Sequence, residues 1–168
     1  MMRISHKIEE ALKAADETMA LIIGNDILHQ VPQLFKEQFP EQEAIIVADT
    51  NTYRVAGKKV GHLLQESGIK QQKSYIFADS DLYAEYGFVE ELVAVLKKND
   101  AVPIAVGSGT INDLTKLASY KTNRRYMCVA TAASMDGYTA FGASITYKGA
   151  KQTFDCPAPQ ACLADVGI

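Results

Sequence analysis

The sequence predicts an α/β protein: a Rossmann-like, doubly wound, mostly parallel sheet with a late small β-hairpin. Three observations predict it. Short apolar runs of strand length recur at residues 20–23, 45–48, 74–77, 102–106, 127–130 and 161–164. Stretches with helical periodicity separate most of these runs, which is how crossover helices cover both faces of a parallel sheet. After residue 142 the period changes to the alternation of a strand pair.

Taken in order, the run at 20–23 closes at Gly24, and Asn25 or Asp26 can cap a helix that continues to about Phe39. The run IIVA at 45–48 is followed at once by Asp49, Thr50 and Asn51. Residues 55–67 read as a helix ended by Gly68. After SYIF at 74–77, Asp79, Ser80 and Asp81 offer an N-cap to the clearest helix, where Phe88, Val89, Leu92, Val93 and Leu96 share one face. Lys97 and Lys98 fall in its last turn, where the helix dipole favours cations. VPIAV at 102–106 ends in Gly107, a short helix spans 111–120, and MCVA follows at 127–130. Residues 143–147 alternate, Lys148 and Gly149 sit where a hairpin turn belongs, and 151–154 return. In such a sheet, ligands bind beyond the carboxyl ends of the strands.

Composition narrows the function classes. The 168 residues suit one domain with a real core. Apolar residues make up 48% and charged residues 22%, so the chain is not a disordered one. A net charge of −3 argues against a basic nucleic-acid binder. No apolar run approaches the roughly 18 residues of a membrane span, and the charged first 19 residues lack the apolar core of a signal peptide. Cys128, Cys156 and Cys162 make no even disulfide framework, and reduced thiols suit a cytoplasmic protein. Charge is unevenly spread. Residues 114–154 hold six basic side chains, Lys116, Lys121, Arg124, Arg125, Lys148 and Lys151, against Asp136 alone. That is either a set of solvated loops or a local field suited to an anion such as a phosphate.

The strongest local signal is Gly107, Ser108, Gly109, Thr110, Ile111, Asn112 and Asp113, between a strand and a helix. Glycines allow close backbone approach, and the first N–H groups of the helix face outward, which suits a pyrophosphate. Asn112 stands where a full dinucleotide fingerprint has its third glycine, and no Gly-Lys-Ser/Thr follows. The plainer reading is a strand-to-helix turn capped by Thr110 or Asn112. Asp49, just past a strand, can accept hydrogen bonds from ribose hydroxyls, or can cap a turn through Thr52. Thr131, Ala132, Ala133, Ser134, Met135, Asp136, Gly137 and Tyr138 start past another strand, on the same sheet edge. The alanines leave room for a flat ligand, and Asp136 can orient a substrate hydroxyl or form an Asp-Gly turn. His6, His29 and His62 all lie in the first 62 residues, so no histidine-based metal site or catalytic triad reaches this edge.

The runs GSGTINDLTKLASY and VATAASMDGYTAFGASITYKGAKQTFDCPAP and the ending LADVGI resemble glycerol-1-phosphate dehydrogenases. Their wider group includes iron-containing alcohol dehydrogenases, glycerol dehydrogenase and dehydroquinate synthase. A weaker likeness runs upstream through IIVADTNTYRVAG, so the resemblance covers most of the chain. It implies reduction of dihydroxyacetone phosphate to sn-glycerol 1-phosphate by NADH or NADPH, with zinc or nickel polarising the ketone oxygen. Matched by position, residues 107–113 hold the pyrophosphate, Asp49 lies near the adenosine ribose, Thr131 to Ser134 line the nicotinamide, and Asp136 contacts the phosphorylated substrate. Ala140 departs from a serine frequent in the family, which removes one hydrogen bond to the cofactor. The chain also stops at Ile168, before the helical C-terminal domain that carries the family's aspartate and two histidine metal ligands. The expectation is therefore an N-terminal nucleotide-binding portion, inactive in isolation and without a metal site. The exposed face of that portion would be covered by a second copy or a partner chain, with no nucleic acid and no membrane involved. The alternatives are a non-catalytic NAD(H)-binding module and a glycerol dehydrogenase-like oxidoreductase.

Overall fold

The computed structural model describes residues 2–132, 135 and 137–168, with residues 2–5 by backbone alone. Helix α1 spans Met2–Lys13, ahead of the first apolar run. The strands are β1 (Ala20–Gly24), β2 (Ala44–Asp49), β3 (Tyr75–Phe77), β4 (Val102–Gly107), β5 (Met127–Ala130), β6 (Ala143–Tyr147), β7 (Ala150–Phe154) and β8 (Ala161–Asp165). Between them lie α2 (Val31–Gln38), α3 (Thr50–Thr52), α4 (Lys58–Glu66), α5 (Tyr86–Leu96) and α6 (Gly109–Lys121).

Six strands form one parallel sheet in the order β1-β8-β5-β4-β2-β3, and β6 and β7 pair as a separate antiparallel hairpin. Alternate residues of the sheet feed two cores. Ala44, Ile46, Ile104 and Val129 pack with α2 and α4 through Val31, Leu34, Phe35, Val60 and Leu64. Ile45, Val47, Ala105 and Cys128 pack on the other face with Val89, Leu92 and Leu96 of α5 and Ile111, Leu114 and Leu117 of α6. Both faces are covered, so the central strands read as continuous apolar runs rather than alternating ones. The hairpin docks on the start of α5. Tyr86 packs against Tyr147 and Phe154 with ring centroids 4.7 and 5.6 Å apart, and the Thr146 N–H donates to the Ala84 carbonyl at 2.6 Å. Its turn residues Lys148 and Gly149 both adopt positive φ, as a two-residue hairpin requires.

Several element boundaries differ from the expectation, each for a local reason. Neither Asn25 nor Asp26 caps the helix after β1. Asp165, at the carboxyl end of β8, accepts the N–H groups of Asp26, Ile27 and Leu28 at 3.0, 2.9 and 3.2 Å. The helix expected from Val55 begins at Thr50, because Asp49 and Thr52 form a reciprocal capping box. A π-helical turn over Tyr53–Gly57 joins α3 to α4. Asp79 closes a local turn onto the Asp81 N–H, and the cap of α5 is Glu85. Lys97 and Lys98 lie past the end of α5, and the cation serving its C-terminal carbonyls is Arg124. Its guanidinium donates to Leu96, Asn99 and Ala101.

Candidate nucleotide-binding edge

The parallel register brings Gly24, Asp49, Phe77, Gly107, Ala130 and Asp165 to one edge of the sheet. The chain passes from β2 outward to β3, then returns to place β4 on the other side of β2. Connections therefore diverge to either side between β2 and β4, which opens a crevice beyond their carboxyl ends. Asp49 stands on one wall, and Ser108 and Thr110 on the other, of a recess of about 390 Å³ that also holds Asp79 and Ser80. One oxygen of Asp49 accepts the Thr52 N–H at 2.8 Å. The aspartate is thus a helix cap and a wall of the crevice at once.

The turn from β4 into α6 is held by packing. A methyl group on Gly107 would lie 2.7 Å from Ile111 Cβ, so only glycine lets the first turn of α6 close on the strand. The Asn112 N–H bonds the Ser108 carbonyl at 3.0 Å. Helix geometry then leaves the N–H groups of Gly109, Thr110 and Ile111 without an intrahelical partner. Ser108 is the N-cap residue without a side-chain capping bond, so neither Thr110 nor Asn112 caps the helix. Met135 packs directly over Gly109.

The expected residues divide in two. Gly107, Ser108, Gly109, Thr110, Thr131 and Ala132 lie together on the edge, whereas the side chains of Ile111 and Asn112 are wholly buried beneath it. Asn112 is a structural anchor. Its amide donates to the Tyr138 carbonyl at 3.2 Å, and its oxygen accepts the Tyr126 hydroxyl at 2.9 Å. Asp113 accepts the Ser144 N–H at 3.3 Å and lines a recess of about 460 Å³ above Gly109, facing Lys151 of the hairpin. Burial raises the Asp113 carboxyl above its ordinary range, opposed by Lys116, the Ser144 N–H and Lys151. Ala133, Ser134 and Asp136 lie outside the described residues.

The roles of three residues do not follow from the sequence. Lys116, counted with the basic field, is fully buried and donates to the carbonyls of Ala140 and Gly142 at 2.7 and 3.0 Å. Burial pushes its ammonium pKa down, and Asp113, 4.0 Å away, partly restores it. Tyr138 reaches Gly107 and Ala132 through its hydroxyl. Asp165 caps a helix start 138 residues away in sequence. None carries a local signal, because each acts through a contact that only the fold creates. A third recess, about 300 Å³ and largely apolar, lies beyond β5, β8 and β1 between Ala132, Tyr138, Ile23 and Val166.

A sequence profile of iron-containing alcohol dehydrogenases matches residues 22–168. This chain belongs to that family. Among curated relatives, glycerol-1-phosphate dehydrogenase [NAD(P)+] of Halalkalibacterium halodurans is 33% identical, over 97% of this chain and 44% of the relative. The protein of the same name from Bacillus subtilis is 29% identical, over 100% of this chain and 44% of its own length. The chain therefore spans under half the length of these relatives. Among solved structures, NADH-dependent butanol dehydrogenase A of Thermotoga maritima superposes with a TM-score of 0.76 at 15% identity. That match covers 90% of this chain and 43% of the other. A 2-epi-5-epi-valiolone synthase of Streptomyces hygroscopicus, solved with NAD+ and Zn2+ bound, superposes at 0.71 and 16% identity, over 90% and 44%. These two likenesses show the shared fold alone.

Proposed function

We propose that this chain is the NAD(P)H-binding domain, residues 1–168, of an oxidoreductase that interconverts dihydroxyacetone phosphate and sn-glycerol 1-phosphate. The observation that carries the reading is the crevice between Asp49 and the start of α6. A pyrophosphate there meets the N–H groups of Gly109, Thr110 and Ile111, which helix geometry leaves without an intrahelical partner, and the positive end of a 13-residue helix. The Asp49 carboxylate can accept from the adenosine ribose while it keeps its bond to Thr52. Thr131 and Ala132 line the nicotinamide side in this proposal, with Ala133 and Ser134 beside them and Asp136 toward the substrate. The names of the curated relatives support the substrate assignment.

When bound, the cofactor supplies the hydride for the ketone carbon, and a proton must reach the ketone oxygen. The divalent ion that the family reading implies, zinc or nickel in this proposal, would when bound polarise that oxygen. Among the described residues no three His, Cys, Asp or Glu side chains gather to hold a metal. His29 and His62 are exposed on the surface. The chain's own task is to bind and orient the dinucleotide.

A second reading is an NAD(H)-binding module without catalysis. Titration of the chain with NADH tests both readings through cofactor fluorescence. Saturable binding that Gly109→Asp abolishes is expected, because a carboxylate would then occupy the anion position. Binding indifferent to that change would contradict the assignment. Dihydroxyacetone phosphate consumption separates the two readings. In this proposal the third recess, flanked by Ile23 and Val166 at 51% and 59% exposure, is covered by another copy or a partner chain. No described helix is long and apolar enough to cross a membrane.

A further inference from the structure

We propose that Tyr138 is a positioning residue for the nicotinamide half of the cofactor, its hydroxyl holding Ala132 in fixed register with the carboxyl end of β4. The proposal rests on the nucleotide reading above. The Tyr138 hydroxyl lies 3.2 Å from the Ala132 nitrogen, 3.3 Å from the Ala132 carbonyl oxygen and 3.3 Å from that of Gly107. It accepts the Ala132 N–H and has one proton to give, shared between the two carbonyls. One atom therefore references both the strand end that leads into the pyrophosphate turn and the loop that follows β5.

The sheet cannot do this by itself. The Thr131 N–H donates to the Gly107 carbonyl at 3.1 Å, and the tyrosine hydroxyl supplies the next tie to the β4 end. The ring is not free to follow the loop, because Asn112 of α6 holds the Tyr138 carbonyl and is itself held by Tyr126. Gly107, the first turns of α6, Asn112 and Tyr138 thus form a closed circuit. Ala132, like Met135, lines both the recess above Gly109 and the apolar recess beyond β5. Displacing it alters the lining of both, while the wall at Asp49 and Ser108 stays in place. Burial holds the phenol pKa up at about 12, so the hydroxyl keeps its proton near neutral pH.

The test is Tyr138→Phe in the full 168-residue chain, with NADH and ADP affinities measured side by side. ADP carries the adenosine and pyrophosphate half and lacks the nicotinamide. NADH is expected to bind about ten-fold more weakly, the scale of one lost hydrogen bond, with ADP affinity unchanged. Equal losses for both ligands, or no loss for either, would overturn the positioning role. A wild-type chain that binds neither ligand would instead overturn the nucleotide reading, and the role with it. Amide exchange gives a measurement without ligand: the Ala132 N–H should exchange about ten-fold faster in Y138F. Unchanged exchange there would show that the hydroxyl does not hold Ala132.

Discussion

Asn112 donates its side-chain amide to the carbonyl oxygen of Tyr138, 26 residues further along the chain, at 3.2 Å. The position is the one that a dinucleotide fingerprint gives to its third glycine, and the asparagine there faces inward, wholly buried. Below it on the same helix, Lys116 grips the carbonyls of Ala140 and Gly142, and Asp113 accepts the Ser144 N–H. Three side chains of α6 thus hold residues 138, 140, 142 and 144 by their backbone. The helix whose N-terminus faces the crevice also fixes the segment that leads into the hairpin.

Restoring the fingerprint should therefore harm the protein. Asn112→Gly strands the Tyr126 hydroxyl and the Tyr138 carbonyl in the core and places a glycine inside a helix. Urea denaturation should show a loss of about 3 kcal/mol. Unchanged stability would show that neither bond matters.

Lys116→Met keeps most of the length and the apolar stem of the side chain and removes its cation. Two carbonyls and Asp113 lose their partner, and a loss of about 3 kcal/mol is expected. Amide exchange around Gly142 and Ser144 should rise with it. A variant as stable as wild type would mean that the buried cation is offset entirely by its own desolvation.

Gly107→Ala places its methyl group 2.7 Å from Ile111 Cβ, an atom fixed to the backbone of α6. The helix start must shift, costing about 2 kcal/mol by overpacking. Gly109→Ala meets first the flexible end of Met135 and should be tolerated by the fold. Equal melting temperatures for the two variants would contradict the difference between these glycines.

Asp165 gives the fold a pH dependence. Burial raises its carboxyl, but the N–H groups of Gly167, Asp26, Ile27 and Leu28 outweigh that effect and hold it below the ordinary carboxylate range. A depressed folded value means that the stabilisation is complete above the unfolded pKa, about 3.9. It is lost as pH falls through the folded value. Asp165→Ala should cost about 2 kcal/mol at neutral pH, and the gap from wild type should close in acid. A gap independent of pH would show that the charge is not what the four N–H groups recognise.

Much of this fold is legible in the sequence, because apolar runs and their spacing report burial on a two-faced parallel sheet. The six strands of the sheet, the hairpin and the edge that carries Gly107 to Thr110 follow from pattern. Helix starts do not, since a cap depends on which acceptor the fold delivers. Asp49 caps through Thr52, three residues away, and that option was visible. Asp165 caps a helix start from the opposite end of the chain, and it was not. The basic bias of residues 114–154 misleads for the same reason: Lys116 and Arg124 spend their charge on backbone carbonyls.

A two-dimensional amide NMR titration of the chain with ADP tests the nucleotide site most directly. Shifts concentrated at Gly109, Thr110 and Ile111, with smaller ones near Asp49, are expected, because helix geometry leaves those N–H groups without an intrahelical partner at the helix start beside the crevice. Saturating ADP that leaves the α6 amides in place, or moves only residues elsewhere, would contradict it.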